Sequence, residues 1–372
     1  MAEIPVEARQ ALAAGCVGLV AEDGKVVGPA EALHDHIRAA GRGAFSVWGT
    51  HVYLSSTDYS NCNQNGRGYA LLIVDVGSPA LREALARRDD LVLDLLHRNR
   101  EYNNSVVANF LGYHQVTTSH LRRHGLATPR AALELGTGRT PYTALRFLAA
   151  GVERFVANDV QTIERSWPAA RLRQLAGLLD LVDQDAGERL RARTVPAADG
   201  AGNVTVRGLE IADRCPFEQA PIGGGFDLIF STSVLEHVGR PRQVVERMHE
   251  LLWSGGHVWH CIDLRDHRDF DRPLDFLRLT VEQYAAIDTE NRLRASDWLD
   301  LFCDCGFEIV DRQYSTLRAG GKGGNADLVH ASVPPATPWV DDALRATFQP
   351  PFAAMDATDL SILGLTVLCR KP

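Results

Sequence analysis

Residues 132–140 read Ala-Leu-Glu-Leu-Gly-Thr-Gly-Arg-Thr, and this stretch decides the fold. A short apolar run ends with Glu134 and Leu135, and Gly136 and Gly138 follow. Next comes TPYTALRFLAAG, residues 140–151, with apolar positions at helical spacing and a glycine stop at Gly151. Glycines let the backbone turn sharply and approach a ligand without a Cβ in the way. The helix that follows offers free N–H groups and the positive end of its dipole. A dinucleotide-binding turn of the form GxGxxG needs a third glycine, and Pro141 stands there instead. The turn therefore suits a ligand smaller than a pyrophosphate-linked dinucleotide.

Outward from the turn, the same grammar repeats. RFVANDV, residues 154–160, reads as a strand with Asp159 near its carboxyl end, about 20 residues after the glycines, which is one strand–helix–strand unit. An acid there can accept hydrogen bonds from both hydroxyls of a ribose. SWPAARLRQLAGLLDLV reads as a helix, FDLIFSTS as a strand, PRQVVERMHELL as a helix and GGHVWHCID as a strand. Such alternation predicts an α/β fold, a parallel sheet covered by helices on both faces. GFEIVDRQYS and LSILGLTVLCRKP would close it as an antiparallel pair.

With FDLIFSTSVLEHV at 226–238, these residues resemble the class I S-adenosylmethionine-dependent methyltransferases, most of all the broad small-molecule branch with a VLEHV segment. The resemblance covers about residues 126–372. It implies a Rossmann-like methyltransferase domain, a doubly wound, mostly parallel sheet of seven strands, and S-adenosylmethionine as cofactor. It implies that Glu134, Gly136, Thr137 and Gly138 hold the methionine part and Asp159 the ribose. Ser231 and Ser233 would open onto the cofactor, and Asp213, with Glu210 as its rival, would meet the adenine. Pro216–Phe217 followed by Phe226–Asp227 fits the family's fourth-strand pattern.

The run HVWHCIDLRDH, 257–267, crowds titratable groups at the end of the fifth strand. Methyl transfer to oxygen or nitrogen needs an acceptor stripped of its proton, and histidine suits neutral pH. His260 or His237 is the candidate base, with Asp263 or Asp266 orienting a histidine or the substrate. Asp266, His267, Arg292 and Arg294 are candidate substrate contacts, the arginines because a guanidinium fork suits a carboxylate or phosphate. Arg292 and Arg294 also read simply as a solvated loop before a helix capped by Ser296. The preferred reading has no metal, with a divalent ion on this His/Asp cluster as the lesser alternative, since both residue types are suitable ligands. Catechol-type methyltransferases use one, but their carboxylate and amide ligands from two strand ends have no close match here. There is no NPPY or DPPY segment and no Pro-Cys at the fourth strand, which argues against base methylation in nucleic acids. The expected reaction is O- or N-methylation of a small metabolite, as in a biosynthetic pathway, with C-methylation left open.

Bulk properties agree. The chain of 372 residues carries a net charge of -8 and no long Lys/Arg run, which disfavours nucleic acid and anionic membrane surfaces as partners. Its seven cysteines are scattered, unlike a disulfide framework, and Cys303 and Cys305 read as a helix end and the loop after it. The first residues lack a signal-peptide pattern and no apolar run is long enough to span a bilayer, so a cytoplasmic location is expected. Residues 1–125 form a separate accessory module: helical over 5–40, β-rich over 44–77, and helical again over 79–125. It is a candidate acceptor cover, homodimer interface or carrier-recognition element. Tyr102, Asn103, Tyr113 and His114 are its candidate lid residues. Two other readings stand beside the methyltransferase: a nicotinamide-dependent oxidoreductase, disfavoured by the missing third glycine, and a cofactor-binding partner protein without activity.

Overall fold

The computed structural model describes residues 2–13, 17–22, 25–27, 45–48, 51–56, 62, 66–74, 121–180, 184–198, 202–287, 291–324 and 327–372. Of the helical stretch expected over 79–125, residues 79–120, with the four lid candidates, lie outside the described residues, and 121–123 are helical. The chain forms two compact units. One comprises residues 1–128, 140–154 and 164–209, the other 129–139, 155–163 and 210–372.

The second unit carries the sheet that the glycine turn announces. Its strands are β1 (Ala131–Leu135), β2 (Arg154–Asp159), β3 (Leu209–Asp213), β4 (Phe226–Thr232), β5 (Leu252–Asp263), β6 (Glu308–Leu317), β7 (Leu328–Ala331) and β8 (Ile362–Arg370). They lie in the order β3-β2-β1-β4-β5-β8-β6-β7. Chain order runs outward from β1 on one side and from β4 on the other, which is the doubly wound arrangement, with its switch point between β1 and β4. β4 is parallel to β1 and to β5. The expected antiparallel closing pair is present, as β8 runs antiparallel between β5 and β6. The sheet has eight strands where seven are predicted. The extra one, β7, pairs with β6 through Tyr314–Leu317 and is mostly exposed, so it lacks the apolar signal of a core strand.

The core of this unit is continuous. Leu133, Leu135, Ile229, Val258, Ile262 and Val367 from the strands pack with two helices, α4 (Pro241–Leu251) and α5 (Ala295–Asp304). α4 contributes Val244, Val245, Met248 and Leu251, and α5 contributes Ala295, Trp298, Leu301 and Phe302, each set one helical face. Burying a side chain of this size stabilises by roughly 1.5–3 kcal/mol. Asp227, the acid of the fourth-strand pattern, is structural: its Oδ2 accepts the backbone N–H of Arg130 and Ala131 and fixes the start of β1.

In the first unit three further helices, α1 (Tyr142–Ala149), α2 (Ala169–Asp180) and α3 (Gln184–Arg193), accompany a small sheet of Trp167–Pro168, Thr194–Pro196 and Asn203–Val206. The accessory region departs from its prediction. Among the described residues of 2–27, only Val6–Ala13 is helical; Val17–Glu22 and Lys25–Val27 are antiparallel strands. The Asp-Gly between the paired Glu22 and Lys25 is a two-residue hairpin signal that outranks the weak helical periodicity. The β-rich run divides between two sheets. Phe45–Trp48 pairs with His51–Leu54, whereas Tyr69–Val74 pairs with Val17–Glu22. Buried Glu22 is neutralised there by Arg67 and bonded by the Tyr69 hydroxyl. No described helix is long and apolar enough to cross a membrane.

Candidate functional site

The glycine turn is clasped to the ends of the neighbouring strands. Gly136 N–H and Thr137 N–H both donate to the carbonyl of Asn158, at 2.9 and 3.1 Å. The Asn158 side chain in turn donates to Ala212 O at 2.7 Å. The carboxyl ends of β1, β2 and β3 therefore sit together, and parallel pairing brings the ends of β4 and β5 to the same edge. Gly136 and Gly138 both have positive φ, 68° and 75°. A Cβ on Gly136 would run into the Val234 side chain, on the loop after β4, whereas one on Gly138 would meet nothing within 4 Å. The first glycine permits close packing, and the second leaves a cradle that a ligand can fill.

Two buried carboxylates flank the cradle. Glu134 accepts from the Thr137 hydroxyl at 2.9 Å. Asp159 accepts from Gly138 N–H at 2.7 Å with one oxygen and from Gln161 N–H at 2.8 Å with the other. A carboxylate has about four acceptor positions, so both oxygens of Asp159 retain capacity for further donors. Asp213 accepts from Ile163 N–H at 3.0 Å. Ser233 is exposed at the end of β4 with φ 52°, its N–H held by Cys261 O at 2.8 Å. Glu134, Gly136, Thr137, Gly138, Asp159, Asp213 and Ser233 are thus gathered at one sheet edge.

Three sequence candidates, Ser231, His260 and Arg294, are corrected by their burial. Ser231 and His260 are fully buried and face each other, Oγ to Nδ1 at 2.7 Å. The His260 ring stacks on Phe302 at 5.8 Å. Burial pushes its pKa down to about 3, so it stays neutral and does not reach an acceptor as a base. Ser231 likewise does not open onto a cofactor. Arg294 is fully buried, its guanidinium donating to the carbonyls of Leu264, Leu360 and Ile362. Arg292 donates to Phe276 O and Leu279 O and lies over the Tyr284 ring at 4.8 Å. Arg294 is thus fastened inside the protein, whereas half-buried Arg292 is held there through Nη1. Ser296 does not cap α5 either. Arg294 is the N-cap residue, and Ser296 bonds Asp359. The Cys303 and Cys305 reading holds: α5 ends at Asp304 with Cys305 as its C-cap, and both thiols are free.

The buried His260 has a pH signature. The folded state keeps it neutral, while the unfolded chain protonates it below its ordinary value of 6.5. The unfolded state therefore binds more protons between pH 3 and 6.5, and stability present above that window is lost as pH falls through it. Urea titrations at pH 6.5 and 5 should show the native chain losing about 2 kcal/mol more than His260→Gln. Equal losses would show that His260 does not carry this dependence.

Past the ends of β4 and β5 lies a second, polar cluster. The run 263–268 holds two Asp-x-Arg pairs. Arg265 grips Asp263 with Nε and Nη2 at 2.8 and 2.6 Å and reaches Gly323 O at 2.7 Å. Arg268 grips Asp266 in the same way, Nε to Oδ1 at 2.8 Å. Asp266 is buried and occupied by this pair, so it braces the loop and does not face a substrate. Burial alone would raise the Asp263 carboxyl, but the Arg265 fork and His267 hold it down to about 2. His267 Nε2 lies 3.4 Å from Asp263 Oδ2, and the ring of exposed His237 stands 5.1 Å from that of His267. Glu236, not among the sequence candidates, is buried beneath them. Its Oε1 accepts from Asp263 N–H at 3.3 Å, its Oε2 has no partner, and burial pushes its pKa up to about 8. Among the sequence candidates, the structure brings together His237, Asp263 and His267.

No family model and no curated protein matches the chain. Among solved structures it is similar to the N-methyltransferase NodS from Bradyrhizobium japonicum in complex with S-adenosyl-L-homocysteine, at 14% identity, covering 78% of this chain and 98% of that one, TM-score 0.35. An S-adenosylmethionine-dependent methyltransferase from Mesorhizobium loti matches at 14% identity over 70% and 98%, TM-score 0.34. The [4+2]-cyclase SpnF matches at 14% identity over 78% and 96%, TM-score 0.37. Likeness at this level leaves the functional reading to rest on the site itself.

Proposed function

We propose that the chain is a class I S-adenosylmethionine-dependent methyltransferase that acts on oxygen or nitrogen of a small molecule, in a biosynthetic setting. The observation that carries this is the Gly136–Thr137–Gly138 turn, fixed by Asp159 at the switch point of the sheet. Ligands of doubly wound sheets bind at that place. The residues fit the cofactor: an open cradle at Gly138, Glu134 and Thr137 beside it for an amino-acid moiety, Asp159 for a ribose, and Asp213 on the next strand for an adenine. When bound, the cofactor supplies an electrophilic methyl on a sulfonium centre. The chain's own contribution is to align the acceptor with that methyl and to take its proton. His237 is exposed, and His267 is held by Asp263, so a proton leaving the acceptor is received at this imidazole pair.

The test is calorimetric titration with S-adenosylhomocysteine. Asp159→Ala is expected to weaken binding at least 50-fold, the equivalent of about 2 kcal/mol, while far-ultraviolet circular dichroism stays native. A folded Asp159→Ala protein that binds as tightly as the native chain would remove Asp159 from the cofactor site.

A further inference from the structure

Glu236, His237 and His267 come from two different segments, one after β4 and one after β5. One carboxylate oxygen and one ring nitrogen from each histidine lie within 4.8 Å of one another. The Glu236 carboxylate is only 4% exposed, and its Oε2 has no hydrogen-bond partner. A buried oxygen left unmatched costs free energy, so an orphan at the base of two imidazoles marks a place where a positive ligand belongs. We propose that these three residues bind a divalent transition-metal ion. This departs from the preferred sequence reading, which has no metal.

The chemistry of the donor set supports the assignment. Two imidazoles and a carboxylate are the protein ligands of open catalytic zinc sites and suit neighbouring divalent metals. Around a tetrahedral ion the donors stand about 3.4 Å apart. The cluster must therefore contract, and His237 lies at the exposed surface. The surroundings provide the outer layer that metal sites use. Asp263 lies against Nε2 of His267, as an outer-layer carboxylate does beside a ligating imidazole. Arg265 fixes Asp263 through both of its carboxylate oxygens. Three protein ligands leave a coordination position open, and the cluster stands at the sheet edge where strands β4 and β5 end. There a coordinated hydroxyl or amine loses its proton more readily, a task otherwise left to a free imidazole. The site takes over His237 and His267 from the proton-receiving pair proposed above, but none of its ligands belongs to the glycine cradle, so it is tested apart from the cofactor reading.

The experiment uses the full chain, freed of metal with a chelator and titrated with Co²⁺ and, separately, Zn²⁺. One equivalent of Co²⁺ should give visible d–d absorption, which Zn²⁺ bleaches on competition. Glu236→Gln and His267→Ala should each weaken Zn²⁺ binding at least 100-fold, and Asp263→Asn by about 10–100-fold. His330→Ala, an exposed histidine on β7, should change nothing. Absence of a one-equivalent signal in the native chain overturns the proposal. So does binding that survives both ligand substitutions in folded protein, since the ion then sits on other side chains. Binding of S-adenosylhomocysteine, measured in parallel on metal-free protein, reports the cofactor reading separately.

Discussion

Replacing Arg294 by methionine is expected to destabilise the fold by about 3–5 kcal/mol, the largest effect of any single side chain considered for the site. The guanidinium is fully buried and donates to Leu264 O, Leu360 O and Ile362 O, while its backbone N–H bonds Asp297. It thereby joins the loop after β5, the start of β8 and the start of α5. Burial lowers its pKa to about 10, and Asp359, Asp297 and Asp263 offset part of that cost, so it remains a cation at neutral pH. Methionine matches the apolar stem but leaves three carbonyls without donors, and each unmatched buried acceptor costs about 1–3 kcal/mol. Arg292→Met, by contrast, removes a half-buried side chain and is expected to cost less. Urea unfolding of both variants checks the difference. An Arg294→Met protein within about 1 kcal/mol of the native chain would refute the structural role.

Gly136→Ala is the second large effect. Its φ of 68° already penalises any Cβ, and the added methyl meets Val234. The left-handed backbone costs roughly 1–2 kcal/mol and the overlap another 1–3 kcal/mol. Relief requires the turn to move away from β4, and binding of S-adenosylhomocysteine is expected to fall at least 100-fold. Gly138→Ala carries the backbone penalty alone, since nothing lies within 4 Å of the new Cβ. Thermal unfolding should therefore rank native, then Gly138→Ala, then Gly136→Ala. Equal stability of the two variants would mean that Val234 does not press on the turn.

The parts of the fold legible in the sequence are those written in local grammar. The glycine turn, Asp159 one strand–helix–strand unit later, and the apolar strands alternating with amphipathic helices all follow from neighbours along the chain. β7 is missed because Leu328–Ala331 is short and mostly exposed, so no burial pattern marks it. Candidate roles fail where long-range burial decides. His260 is a reasonable base by type, but pairing of β5 with β4 and β8 closes it in. Arg294 looks like an anion anchor because its carbonyl partners lie 30, 66 and 68 residues away. The Asp-x-Arg repeat at 263–268 is a local signal of self-paired charges, and it shows why Asp266 is spoken for. Glu236 stands in the quoted VLEHV segment, but only its burial under His237 and His267 distinguishes it.

The most direct test of the central claim is calorimetric titration of the native chain with S-adenosylhomocysteine and, separately, with NAD. A cradle built for a sulfonium nucleoside predicts one-to-one, micromolar binding of S-adenosylhomocysteine and no heat with NAD. Silence with S-adenosylhomocysteine, or saturable binding of NAD in its place, would contradict the methyltransferase reading.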